Sequence, residues 1–117
     1  MTAEDYRIAF FTNNYLPFVG GVALSVDLFQ RHLRQAGDHV VVYAPQCDGA
    51  ENDGDNVRRM PAIRHFNKTD FSLPLPALFQ PVFDFREQAF DVVHVHHPFL
   101  LGELGMRLAR DRATPLV

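Results

Sequence analysis

The chain has 117 residues, enough for one domain with a real core, and nearly half of them are apolar, including 11 Phe and no Trp. A formal charge of −3, with ten Arg and one Lys spread along the chain, excludes the basic face of a general nucleic-acid binder. The single cysteine, Cys47, excludes a disulfide framework and a cysteine-based metal site and fits a reducing cytoplasm. No apolar run approaches the length of a membrane span, and there is no signal-peptide core.

In chain order, Ile8 to Phe11 form a continuous apolar stretch of strand length, as expected for a parallel strand covered on both faces. Gly20 and Gly21 follow, and then a helix through residue 36. On that helix Val22, Val26, Phe29 and Leu33 share an apolar face with Leu28 beside it, while Asp27, Gln30, Arg31 and Arg34 are expected to fall away from it. The glycine pair sits where a strand hands over to a helix N-terminus. Unpaired backbone N–H groups and the helix dipole can hold a phosphate there, and no Ser, Thr, Asp or Asn precedes Val22 to cap them. The pair lacks the spacing of the glycine fingerprints, so a tight turn alone is the competing reading.

Gly37 stops the helix, and residues 40–44 (Val-Val-Val-Tyr-Ala) read as a second strand ended by Pro45. Residues 46–56 are polar, acidic and rich in turn formers, as in an exposed loop; their spacing does not match a calcium-binding EF-hand. A short strand is expected over 57–60, then an irregular stretch over 61–76. Pro76 is placed as the first residue of a helix whose face carries Leu78, Val82 and Phe85. Residues 91–96 (Asp-Val-Val-His-Val-His) read as the next strand, and Pro98 starts a helix with Leu100, Leu101, Leu104, Leu108 and Ala109 on its apolar face. Residues 114–117 open one more strand, and a chain stopping inside a strand is expected to be a piece of something longer. Apolar strands alternating with amphipathic helices predict an α/β fold, a doubly wound parallel sheet in three α/β/α layers. Ligands of such sheets collect beyond the strand C-termini, here residues 12–15 and 96–98.

His94, His96 and His97 invite three readings. Strand alternation puts His94 and His96 on one face, where they can share a metal given further ligands, though no cysteine or acidic partner lies nearby in sequence. His94 in mid-strand otherwise reads as a buried histidine bonded to backbone. His96 and His97, at the strand's C-terminal edge, are placed to contact a hydroxyl or a phosphate.

Four stretches in order, residues 11–22, 32–45, 68–76 and 91–102, together resemble the N-terminal domain of family-four glycosyltransferases, retaining enzymes with the two-domain glycosyltransferase B fold. The likeness covers nearly the whole chain. It implies that residues 1–117 form a single truncated Rossmann-like domain, the acceptor side of a cleft, with the nucleotide-sugar domain absent. It further implies that Gly20 and Gly21 reach the donor diphosphate and that Asn13, Tyr15, His96 and His97 line the acceptor side, with Lys68 and Asp70 as weaker candidates. No metal or other cofactor is implied, and no catalytic side chain falls within these residues. The partners would be the missing C-terminal domain, a nucleotide sugar, and a lipid, sugar or alcohol acceptor. The location would be cytoplasmic, with peripheral contact at the inner face of the membrane. The chain departs from the family at Asn13, where an acidic residue is common, and at Ala23-Leu24, where a small polar residue is usual. The family's His-Thr motif and paired glutamates would lie beyond Val117, so the isolated chain is expected to transfer no sugar. Exposure of a rim at Phe18, Val19 and Phe99 would favour self-association.

Two other classes share parts of the pattern. A stand-alone α/β phosphate- or nucleotide-binding module has the same alternation, but its receiver form needs an acidic cluster where Thr12, Asn13 and Asn14 stand. A membrane-surface module could use Phe66, Phe71 and Leu73 with Arg64 and Lys68, but the helix expected after it carries Asp84 and Glu87 rather than a basic face.

Overall fold

The structure, a computed structural model, describes residues 5–17, 20–50, 53–68, 73–74, 89–97 and 100–117. The helix expected from Pro76, the rim residues Phe18, Val19 and Phe99, and Asp70 lie outside these. Four parallel strands form the sheet: β1 (Arg7–Phe11), β2 (His39–Pro45), β3 (Val57–Met60) and, after two short strands, β6 (Val92–Val95). The short strands β4 (Ala62–Ile63) and β5 (Leu73–Pro74) pair antiparallel, giving order to a stretch expected to be irregular. The spatial order is β3-β2-β1-β6. Residues 115–117 continue the sheet beside β6, with Val93 N–H bonded to Pro115 O at 2.9 Å and Val95 N–H to Val117 O at 3.0 Å.

Strand alternation divides the core in two. Ala9, Phe11, Val41, Tyr43, Met60 and Val93 face helix α2 (Leu101–Asp111), which covers them with Leu101, Leu104, Leu108 and Ala109. Ile8, Phe10, Val40, Val42 and Ala44 face helix α1 (Gly21–Gln35) on the other side. Helices on both faces of a parallel sheet make this the doubly wound three-layer fold that the alternation predicts. Helix α2 begins at Leu101 after Leu100 in the left-handed region at φ 56°; Pro98, expected to start it, lies outside the described residues.

Helix α1 is turned by about 80° from the face expected of it, less than one 100° residue step. Ala23, Val26, Asp27 and Gln30 are buried, while Val22, Leu24, Leu28 and Phe29 stand 39 to 53% exposed. Phe29 still reaches Phe10 and His94, its ring 6.0 Å from each. The reason is a polar network between helix and sheet. Tyr15 donates its hydroxyl to Asp27 Oδ1 at 3.0 Å, Gln30 Nε2 donates to the same oxygen at 3.1 Å, and Asn56 Nδ2 donates to Gln30 Oε1 at 3.1 Å. Arg31 closes on Asp27 Oδ2 from the solvent side at 2.8 Å. With every member bonded, the polar face can be buried, and small Ala23 lets the helix approach. Burial and the Asp27 carboxylate push the Tyr15 phenol well above its ordinary range, so it stays a donor. The acidic loop 46–56 is likewise less exposed than expected, because Ala50 is buried and Asp53 and Asn56 point inward.

Helix α2 lies close on the sheet because of Gly105. A Cβ there would come within 2.8 Å of Phe11 Cδ1 and 2.9 Å of Val95 Cγ1. Gly105→Ala is therefore expected to destabilise the fold by about 1–3 kcal/mol, read as a lower urea midpoint at unchanged slope. A variant as stable as the parent would refute this packing.

Candidate functional site

Because the strands are parallel, every strand-to-helix turn in the sheet opens on the same edge. The turn after β1 leads to α1 and the turn after β6 leads to α2, and β1 and β6 are neighbours, with Phe11 opposite Val95. The strand order changes direction between them, since β2 and β3 lie on one side of β1 and β6 on the other. That is the switch point at which a crevice forms in sheets of this type.

Asn13 ties the two turns together. It is 1% exposed; its Oδ1 accepts the Leu101 N–H at 3.0 Å, and its own N–H points to His97 Nδ1 at 3.5 Å. The first bond caps α2 from a distant part of the chain, since α2 has no side-chain cap of its own at Leu100. The second makes His97 Nδ1 an acceptor, so a neutral His97 carries its proton on Nε2. Thr12, fully buried, braces the same turn by donating its hydroxyl to Asn14 O at 2.7 Å. Gly102 completes the junction: a Cβ there would fall 1.5 Å from the His97 carbonyl oxygen, so no other residue lets α2 start against β6.

His96 extends β6 by one bond, its N–H reaching Phe11 O at 3.0 Å. Its ring lies 4.3 Å from that of His94, and both rest on Phe10, at 5.2 and 5.1 Å. His94 is thus held by aromatic packing rather than by the backbone bond expected of it. His96 Nε2 is buried and has no hydrogen-bond partner among the described residues. A buried polar atom left unpaired costs free energy in the folded state, and such atoms call for a functional account. Burial first, then the neighbouring His94 and His97, lowers the His96 pKa to about 4. Burial also lowers His94 and His97. Near neutral pH the edge therefore presents neutral imidazoles, able to donate or accept a hydrogen bond with a hydroxyl. Among the described residues no group of three or more His, Cys, Asp or Glu side chains gathers as for a metal.

The α1 end of the edge is different. Gly20, in extended conformation, occupies the N-cap position and supplies no side-chain bond, and the first turn holds no acidic residue. Gly21 is exposed, and a Cβ there would meet nothing within 4 Å, so the space beside the start of the helix is open. With the positive end of the helix dipole added, this geometry favours an anion.

Of the residues singled out from the sequence, Gly20, Gly21, Asn13, His96 and His97 share this edge. Tyr15 starts from it but turns into the core toward Asp27. Lys68 is exposed at the end of a one-turn 3₁₀ helix (Phe66–Lys68). That turn follows β4, which pairs with β5 outside the four-stranded sheet and comes after β3, itself two strands from β1. The sequence reading missed the capping role of Asn13 and the buried pair of Asp27 and Gln30. An Asn just past a strand end is a fair signal for the first; nothing in a helical wheel signals the second.

The family model for Glycosyltransferase Family 4 matches residues 19–117. A GDP-mannose-dependent alpha-mannosyltransferase of Mycobacterium tuberculosis (strain CDC 1551 / Oshkosh) is 34% identical over 117 residues, covering 95% of this chain and 31% of the relative. Its namesake in Mycolicibacterium smegmatis is 36% identical over 121 residues, again 95% of this chain and 31% of the relative. An alpha-monoglucosyldiacylglycerol synthase of Acholeplasma laidlawii is 35% identical over 115 residues, 95% of this chain and 28% of the relative. The chain thus spans less than a third of the length of these curated relatives. With the family model matched from the glycine turn through helices α1 and α2 to Val117, the chain belongs to glycosyltransferase family 4.

Proposed function

We propose that this chain is the acceptor-side domain of a retaining, two-domain glycosyltransferase. It would move a sugar from a nucleotide-sugar donor to a lipid, sugar or alcohol acceptor. The observation that carries this is the single edge holding an α1 N-terminus with no side-chain cap, exposed at Gly21, together with neutral histidines, in a chain of this family. In this reading the Gly21 N–H and its neighbours bind the donor diphosphate, and Gly20 supplies the turn. His96 and His97 orient the acceptor hydroxyl, and Asn13 holds His97 in the tautomer that donates from Nε2. Tyr15 contributes through the shape of the turn, its hydroxyl being taken by Asp27. Lys68 and Asp70 belong to the outer wall.

The chemistry asks for little from these side chains as acids or bases. Transfer on one face of the sugar lets the departing phosphate take the proton of the attacking hydroxyl. The protein's share is to align the two and to stabilise the leaving diphosphate with fixed dipoles. No step is assigned to a metal. The other wall of the cleft, with the nucleotide pocket, belongs to a further domain. Relatives named for GDP-mannose and for monoglucosyldiacylglycerol match this segment at nearly equal identity, 34 and 35%, which supports donor choice lying outside it. The protein would act in the cytoplasm. No described helix is long and apolar enough to cross a membrane, and a lipid acceptor would be met by peripheral contact.

The intact mass of the natural polypeptide tests this first. Since the chain is 31% of its mannosyltransferase relatives, that mass should be about three times 13.3 kDa, and the 117-residue piece alone should transfer nothing. A folded natural product of 13.3 kDa would favour a stand-alone binding module and sink the proposal. In the complete polypeptide, Gly21→Ala should leave stability unchanged or slightly higher, because the added methyl meets open space. It should nevertheless cut transfer about a hundredfold by standing where the phosphate lies; full activity would exclude Gly21 from the phosphate site.

The histidines give a pH test. An imidazole whose pKa falls from 6.5 when unfolded to about 4 when folded binds protons more readily in the unfolded chain. Stability from His96 is therefore complete above pH 6.5, and it is lost as pH falls through the interval down to about 4. Replacing His96 with Gln should flatten that part of the stability–pH curve relative to the parent. Parallel curves for the two proteins would show that His96 is not held neutral.

A further inference from the structure

Arg59, at the C-terminal end of β3, sits two strands from the switch point and is no part of the site described above. Its side chain is only 7% exposed. All five of its N–H donors have acceptors. Nε and one Nη2 hydrogen form a fork on Asp53, at 2.7 and 2.8 Å. Nη1 donates to Pro45 O at 2.8 Å and to Cys47 Sγ at 3.6 Å. The other Nη2 hydrogen donates to Leu16 O, and the guanidinium carbon stands 5.5 Å over the Tyr15 ring. One cation thus gathers the end of β2, the acidic loop and residues 15–16 of the turn leading from β1 toward the glycine pair. The backbone of Gly49, in the same acidic loop, lies against Pro17 of that turn.

A buried ion pair is a weak device for stability, because apolar side chains of equal volume usually do as well; its better-attested use is to fix position. The two neighbours of Arg59 on this face of the sheet, Val57 and Ala44, are apolar. What a guanidinium adds is a rigid planar fork that aims at several acceptors at once, which lysine cannot copy. Its charge is neutralised by Asp53, so it cannot serve as an anion hook. Its effect on a bound anion must pass through the backbone it holds.

We propose that Arg59 is a positioning residue, which, by clamping Leu16 and Tyr15 against Asp53, sets the path of the turn that delivers the first-turn N–H groups of α1 to a phosphate. This rests on the glycine turn being a diphosphate site, as read above. The test uses the complete polypeptide labelled with ¹⁵N and titrated with inorganic pyrophosphate, following the amide resonances of Gly20 and Gly21 and those of Val41 to Tyr43 in the sheet. In the parent, pyrophosphate shifts the two glycine amides. Arg59→Met and Arg59→Lys both lose about tenfold or more in affinity, since neither makes the fork, while the sheet resonances stay in place. The decisive variant is Asp53→Asn. Removing that negative charge would by itself tighten pyrophosphate binding, whereas loosening the clamp weakens it. Weaker binding by Asp53→Asn supports the clamp, and it decides the matter even if the Arg59 variants fail to fold. Equal or tighter binding by Asp53→Asn, or full affinity in Arg59→Lys, overturns the positioning role and leaves the glycine-turn site standing. A parent chain whose glycine amides ignore pyrophosphate overturns the site itself, and the clamp with it.

Discussion

The edge of this domain depends on one buried amide. Asn13 lies at the end of the central strand, where two parallel neighbours and two helices converge, and it bonds to the β6 turn and the first turn of α2 together. An N-terminal cap contributes about 1 kcal/mol as a local device. Here the cap comes from 88 residues away, so it also fixes how the two crossover units meet. Carboxylate at this position would accept the same Leu101 N–H with more strength. The amide does it without adding a negative charge to an edge whose neighbouring histidines are held neutral.

That cap creates an asymmetry between two helix N-termini that open on the same edge. The first turn of α2 is occupied by Asn13 and pressed onto β6 through Gly102, so it has little left to offer a ligand. The first turn of α1 has Gly20 in place of a capping side chain and faces open space at Gly21. Two adjacent positive dipole ends would both attract an anion. Satisfying one and leaving the other open confines the attraction to α1, and leaves the turn after β6 to the neutral His96 and His97.

The parallel sheet and the helix on each face were legible because they follow from apolar runs broken by glycine and proline. Residues 8–11 and 40–44 are apolar runs that lie largely buried, as strands covered on both faces do, and 92–95 follow as a half-buried strand beside β1. The orientation of α1 was not legible. Val22, Val26, Phe29 and Leu33 make the better apolar stripe, and only the tertiary partners Tyr15 and Asn56 explain why Asp27 and Gln30 are turned inward instead. A wheel weighs each residue by its own hydrophobicity, and buried polar pairs defeat it. Of the site, the glycine pair and the histidines were visible because their positions at element ends are set by topology. Arg59 was not, because its partners come from three separate segments.

The electrostatics of the edge come from dipoles and not from side-chain charges. Arg59 is matched to Asp53, Asp27 to Arg31, and burial keeps the three histidines of β6 and its turn neutral. Oriented N–H groups hold their direction without the strong desolvation cost that a free lysine or arginine would incur on closing a cleft. In the proposed diphosphate site they would also be largely indifferent to which nucleotide or sugar lay beyond the phosphates. In the proposed function, a segment that works through its backbone would serve relatives named for different sugars alike, and specificity would be set by surfaces that touch the sugar and the base. The near-equal likeness of this chain to mannosyl- and glucosyl-named relatives is what such a division of labour would leave in the sequence.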